Sequence, residues 1–83
     1  MPYIVAKKRR ILEPVVSPSE HAGDLNFVIS RLCNRYIKTN GMCYAVVNEV
    51  IGVLECAKLE LYRRVAAPYE DKKIEENGDV FTI

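Results

Sequence analysis

Tryptophan is absent from this 83-residue sequence, histidine occurs once, and glycine and proline occur four times each. This scarcity of glycine and proline excludes a collagen-like or low-complexity chain, and 49% hydrophobic residues exclude a wholly disordered one. The sequence also lacks an apolar run near the roughly 18 residues of a membrane span, and any pattern typical of a secretory leader. We therefore expect a cytoplasmic protein that makes no contact with a membrane.

The three cysteines, at positions 33, 43 and 56, are an odd number and lie too far apart for a CxxC redox pair or a zinc knuckle. The single histidine, His21, is distant from all of them in sequence, although a Cys–His pair created by folding stays open. No nucleophile or phosphate-loop motif occurs either. We predict no catalytic residue, no metal ligand and no cofactor, and we expect the cysteines to act as small apolar side chains.

Charge is distributed unevenly along the chain, although the net charge is only +1. Residues 1–16 form a basic N-terminal arm of charge +3, with Lys7, Lys8, Arg9 and Arg10 against Glu13. Residues 68–83 carry −3, with Glu70, Asp71, Glu75, Glu76 and Asp79 against Lys72 and Lys73. Four cations in a chain of pI ≈ 7.7 are too few for a nucleic-acid footprint. We expect the two ends to attract each other, either within a protomer or between protomers.

A first helix is predicted over residues 18–39. Ser17 can cap its start, Pro18 suits the first helical position, and Glu20 completes a capping box. Gly41 favours the left-handed conformation that ends a helix. Apolar side chains recur at helical spacing on one face, namely at Leu25, Val28, Ile29, Leu32 and Tyr36.

A second helix is predicted over residues 43–66, and it is apolar on two sides. Its main stripe has near-heptad spacing that favours antiparallel packing on the first helix, and it comprises Val47, Val50, Leu54, Ala57, Leu61 and Val65. A second strip lies about 100° further round and comprises Ile51, Leu59, Tyr62 and Ala66. The helix is about 36 Å long, whereas a compact chain of this size is roughly 30 Å across. We therefore predict an elongated helical hairpin that buries the second strip in a homo-oligomer.

Pro68 is expected to end or kink the second helix. A short charged helix is predicted over residues 68–77, followed by an extended tail at 79–83 that could pair as a strand with residues 2–5. The fold class predicted for residues 1–83 is thus a single all-α domain: an antiparallel helical hairpin with an N-terminal arm and a short C-terminal helix. A chain of 9.5 kDa buries only about 60 to 65% of its unfolded surface, so assembly would also stabilise it.

Cations cluster on both sides of Pro68, where a bend can gather them. They form a candidate site for a phosphate-bearing ligand, which comprises Arg63, Arg64, Tyr69, Lys72 and Lys73. Arginine and lysine bind phosphate, and a tyrosine ring can stack on a base. Neutralisation of the same cations by neighbouring acids, or by acids of another subunit, is the open alternative.

Acidic side chains also recur in the second half of the chain, at Glu55, Glu60, Glu70 and Asp71. They loosely resemble the magnesium-binding helices of all-helical nucleotide pyrophosphohydrolases, but the EExxE pattern of that family is absent. Glu49 and Glu60 share a helix face about 16 Å apart, which is too far to hold one metal ion. We expect these acids to lie in solvent, with a magnesium-dependent enzyme as the alternative.

Four stretches, PYI near the start, GDLNFVISRL, NEVIGVLECAKLELYRR and APYEDKKIEENGDVF, resemble a family of short proteins of unknown function from bacterial genomes and bacteriophages. The resemblance covers nearly the whole chain. It implies a bacterial or phage cytosol and supplies no activity or site residues. Many small phage proteins act stoichiometrically, by blocking a host protein or sequestering a nucleotide, so we expect a non-enzymatic homo-oligomeric binding module. The alternatives are the pyrophosphohydrolase and a nucleic-acid-associated accessory factor that uses the basic arm.

Overall fold

A computed structural model describes residues 2–16 and 19–83, and within these ranges the chain is all-helical and contains no strand. The helices are α1 (Ala6–Leu12), α2 (Ala22–Asn40), α3 (Tyr44–Leu61) and α4 (Ala67–Asn77). A 3₁₀ turn at Glu13–Val15 follows α1, and a π turn at Tyr62–Ala66 joins α3 to α4. None of the helices in the described ranges has both the length and the apolar character needed to cross a membrane.

The ends of α2 are set by local backbone geometry. The helix begins at Ala22, four residues later than predicted, because His21 is still in an extended conformation. Ser17 and Pro18, the predicted cap, lie outside the described residues. At the other end Gly41 has a φ of 98°, and its N–H donates a 2.8 Å hydrogen bond to the carbonyl of Ile37. Glycine adopts this φ without a steric penalty, so α2 ends one residue after the predicted position.

Pro68 does not end the helix that precedes it, which was one of the two outcomes predicted there, and the backbone continues into α4 through the π turn. Proline has no N–H and its ring clashes with the carbonyl four residues earlier. The π turn widens the backbone just before Pro68, so that the Ala67 N–H donates to the carbonyl of Tyr62, five residues back. Pro68 then occupies the first turn of α4, where a missing N–H costs little. The predicted second and third helices therefore form one continuous helical segment.

The buried core is small and lies where α2 meets α3. Only Val46 and Val50 are buried among the described apolar side chains, at 9% and 8% exposure. Of the stripe predicted to pack on the first helix, Val50 is covered but Leu54 and Leu61 are 41% and 61% exposed. Val65 is exposed as well. The reason is that α2 covers only the first turns of α3, and the rest of α3 has no helical neighbour.

The molecule is long and has a large surface for its mass. Its extents are 49 × 29 × 28 Å and its radius of gyration is 16.9 Å, against about 12 Å for a compact chain of this length. The accessible surface is 7851 Å², whereas a folded monomer of 9.5 kDa exposes about 5,000 Å². Roughly 2,800 Å² more surface is therefore exposed than the mass alone would require.

Val50→Ala tests where the core lies. We expect it to lower the free energy of unfolding by about 1.5 kcal/mol, since two buried carbons are lost from the contact between α2 and α3. Val80→Ala is the matched control, because Val80 is 85% exposed in the tail, and we expect a change within about 0.5 kcal/mol. Urea unfolding followed by circular dichroism measures both. Equal effects of the two substitutions would contradict this position of the core.

Candidate functional site

The exposed apolar side chains of α3 and the π turn form the largest candidate interaction surface of the described residues. We call it the α3 surface, and it comprises Ile51, Leu54, Leu59, Leu61, Tyr62, Val65 and Ala66. Of the four residues predicted as an oligomer interface, Ile51, Leu59 and Tyr62 are exposed and Ala66 is half-buried. The other three were expected in the core. One monomer thus presents a contiguous length of apolar helix to water, an arrangement typical of a protein–protein interface.

A groove between α2 and α3 borders this surface. It has a volume of about 200 Å³ and is lined by Leu32, Cys33, Tyr36, Val50 and Val53. At the same contact the Tyr36 hydroxyl of α2 donates a 2.7 Å hydrogen bond to Glu49 of α3. This hydrogen bond and the negative charge of Glu49 raise the pKa of Tyr36. The lining is apolar, so the groove suits a hydrophobic side chain of a partner.

The N-terminal residues lie against α3 further along its length, next to Val53, which also lines the groove with α2. Pro2 borders a shallow pocket with Val53, Cys56 and Ala57. The following residue, Tyr3, lies close enough to the carboxylate of Glu60 to help lower its pKa. No local sequence pattern relates residue 3 to residue 60, and the sequence did not predict this contact.

Glu60 is the most strongly perturbed ionisable group among those described. Arg63 binds it through two parallel hydrogen bonds, from Nε to Oε1 at 2.8 Å and from Nη2 to Oε2 at 2.9 Å. The side chain of Glu60 is only 16% exposed. The hydrogen bonds from Arg63, and then the nearby Tyr3 side chain, lower the pKa of Glu60 to about 2. The group therefore stays ionised at physiological pH.

The five residues of the predicted anion site have different surroundings in the structure. Arg63 is engaged by Glu60, and the Lys73 ammonium lies 3.2 Å from Glu76 and 5.5 Å from the centre of the Tyr69 ring. Arg64 and Lys72 form no ion pair within the described ranges. The structure thus brings Lys73 to Tyr69 but leaves two of the four cations occupied by acids of their own helix.

A separate cleft lies where the C-terminal tail approaches α4. It has a volume of about 390 Å³ and mixed polar and apolar walls, which include Tyr62, Glu70, Lys73, Ile74 and Phe81. The Phe81 N–H donates a 2.9 Å hydrogen bond to Asp79 Oδ1, which turns the tail. Of the predicted anion-site residues only Lys73 lines this cleft, so the cleft and the predicted site coincide at a single cation.

The acids considered for a magnesium site are also separated. Glu55 pairs with Lys58 at 3.1 Å and Glu60 pairs with Arg63, in each case within one turn of helix. In residues 2–16 and 19–83, no three histidine, cysteine, aspartate or glutamate side chains converge in a way that could hold a metal ion. Cys33 is a half-buried free thiol, and Cys43 and Cys56 are exposed free thiols.

Comparison with known protein families gives one match, a domain of unknown function (DUF6899), over residues 1–80. The chain belongs to this family. Neither the curated proteins nor the solved structures include a match to the chain. The match extends from the basic arm through the α3 surface to Val80, so it contains the features described above except Phe81 at the end of the tail cleft.

The Glu60 contact predicts a specific dependence of stability on pH. A carboxyl whose pKa is lowered by folding stabilises the folded state above its unfolded pKa of 4.5, and this contribution is lost as pH falls towards 2. We expect the difference in melting temperature between the parent protein and Glu60→Gln to be constant from pH 7 to pH 5. It should shrink progressively below pH 4.5.

Tyr3→Phe refines this measurement. It removes the smaller of the contributions from Arg63 and Tyr3 that lower the pKa of Glu60, so the acid transition should move to higher pH while the Arg63 contact remains. Identical pH profiles for the parent and Glu60→Gln between pH 5 and pH 2 would contradict the assignment.

Proposed function

We propose that this protein is a non-enzymatic interaction module that functions as a homo-oligomer, with the α3 surface buried between copies. The observation that carries the proposal is that the accessible surface of the chain is larger than its mass requires. Roughly 2,800 Å² of excess accessible area is comparable with the 1,000 to 2,500 Å² that each subunit buries in an obligate homodimer. A protomer with two buried apolar side chains has little core of its own, so association and folding are expected to be coupled.

In the proposed assembly α2 and α3 form an antiparallel hairpin, and the interface centres on Ile51, Leu59, Tyr62 and Ala66. The hydrogen bond between Tyr36 and Glu49 supports this pairing of the helices, since it fixes their contact near the start of α3. We place the protein in a bacterial or phage cytosol, on the resemblance in its sequence. There the assembled module would bind a host protein or an anionic ligand stoichiometrically.

Light scattering combined with Leu59→Glu tests the assembly. We expect the parent to have a mass that is a multiple of 9.5 kDa and a melting temperature that rises with protein concentration. Leu59→Glu places a charge in the proposed interface, so it should shift the mass towards that of one chain. Ile83→Glu is the control, because this terminal side chain is fully exposed and lies outside the α3 surface. A strictly monomeric parent at micromolar concentration would contradict the proposal.

A second candidate function is capture of a phosphate-bearing ligand at Arg63, Arg64, Tyr69, Lys72 and Lys73. Two observations favour it: Lys73 lies over the Tyr69 ring, and Arg64 and Lys72 form no ion pair within residues 2–16 and 19–83. Opposing it, Arg63 and Lys73 are already paired with acids. We therefore rank ligand capture below self-assembly.

Thermal shift with nucleoside phosphates and inorganic phosphate tests ligand capture. A ligand at a hundredfold excess over its dissociation constant should stabilise the protein by about 2.7 kcal/mol. Lys72→Glu should abolish the rise in melting temperature, whereas Lys38→Glu on α2, with the same charge change, should leave it intact. A flat response across the panel contradicts this candidate. Magnesium-dependent release of pyrophosphate from any nucleotide would instead establish an enzyme.

A further inference from the structure

The cations of helix α1 form no ion pair within residues 2–16 and 19–83 of their own protomer. The helix packs only against the 3₁₀ turn that follows it and contacts none of α2, α3 or α4. All four of its cations, Lys7, Lys8, Arg9 and Arg10, are exposed, and none forms an ion pair with a described residue. The nearest acid along the chain, Glu13, does not form an ion pair with any of these four cations. The predicted attraction between the two ends of the chain is thus not made within the protomer.

Most of the acidic side chains of α4 also have no ion-pair partner among the described residues. Glu76 is neutralised by Lys73, but Glu70, Asp71 and Glu75 are exposed and form no ion pair in the described part of the chain. At 3.6 residues per turn these three acids fall within an arc of about 140°, so they share one face of α4. Asp71 and Glu75 are four residues apart, a spacing at which like charges destabilise a helix. A cationic partner would relieve that repulsion.

We propose that α1 of one copy docks on the face of α4 formed by Glu70, Asp71 and Glu75 in a second copy. This inference rests on the proposed homo-oligomer and assigns a role to the arm that the α3 surface does not explain. Consecutive cations at positions 7–10 are distributed around the full circumference of α1, so any docked face of the helix presents a positive charge. In a symmetric assembly the contact is made twice, because each copy supplies one α1 and one α4.

A second copy suits the arm better than a nucleic acid does. The four cations of α1 meet three unpaired acids on α4, which neutralise most of their charge. A nucleic-acid site requires a larger basic surface, and the chain as a whole has a pI of about 7.7. The start of the arm lies against α3, where Pro2 borders a pocket with Val53, Cys56 and Ala57.

Reciprocal charge reversal tests the proposal. One chain carries Lys8→Glu with Arg9→Glu, and a second chain carries Asp71→Lys with Glu75→Lys. Each chain alone should associate about tenfold more weakly than the parent, because the first variant leaves positions 7–10 of α1 without net charge and the second makes the α4 face repel α1. Mixed in equal amounts, they should form mixed oligomers that are tighter than either variant alone, since one parental contact is restored and the substituted α1 meets the substituted α4. Sedimentation at 50 mM and 500 mM salt measures the affinities, and the recovery should be lost at high salt.

A control chain with Arg35→Glu and Lys38→Glu on α2 has the same change in net charge as the first variant. It should self-associate as the parent does, and with the Asp71→Lys, Glu75→Lys chain it should form mixed oligomers more weakly than the first variant does, because its unsubstituted α1 is repelled by the substituted α4. This separates a specific contact from attraction between oppositely charged proteins. Parental association of both variants alone would overturn the docking of α1 and leave the proposed homo-oligomer intact. A monomeric parent would overturn both. Salt-dependent DNA binding that Lys8→Glu with Arg9→Glu abolishes, with assembly unchanged, would assign the arm to nucleic acid instead.

Discussion

The long helical segment that begins with α3 presents more apolar surface than the shorter helix α2 can cover. Helix α2 has 19 residues, whereas the helix that starts at Tyr44 continues through the π turn to Asn77. At about 1.5 Å per residue the longer segment is close to 50 Å, which matches the longest dimension of the protein. The shorter helix α2 buries Val46 and Val50 and does not extend along the rest of α3. Beyond that point the α3 surface is exposed in the single chain.

Continuity of the long helix depends on the π turn before Pro68. A regular α-helix at this point would place the proline ring against the carbonyl of Arg64, so a break would be the usual outcome. One extra residue in the turn removes the clash and leaves the helix intact. The consequence is functional as well as structural, because the acidic face of α4 is held at the far end of one rod and does not fold back onto the basic arm.

Electrostatic contacts in the protomer are short-range and are made mainly within single helices. Glu55 with Lys58, Glu60 with Arg63, and Lys73 with Glu76 are all three residues apart. Among the described residues, the side-chain hydrogen bond that joins distant parts of the chain is the one from Tyr36 to Glu49. Local pairs of this kind add little to stability, and they leave the charges of α1 and of the Glu70 face available for contacts between molecules.

Local sequence patterns alone determined the all-helical class, the glycine that ends α2, the two apolar sides of α3 and the opposite charges at the two ends. These features are local, because spacing along a helix fixes which side chains share a face. Only the tertiary structure decided how far α2 covers α3, so that Leu54, Leu61 and Val65 are exposed, and that Pro2 lies beside Cys56 and Ala57. It also decided that α1 and α4 remain apart. Periodicity shows that a face is apolar, but which element covers it depends on distances between residues that no local pattern encodes.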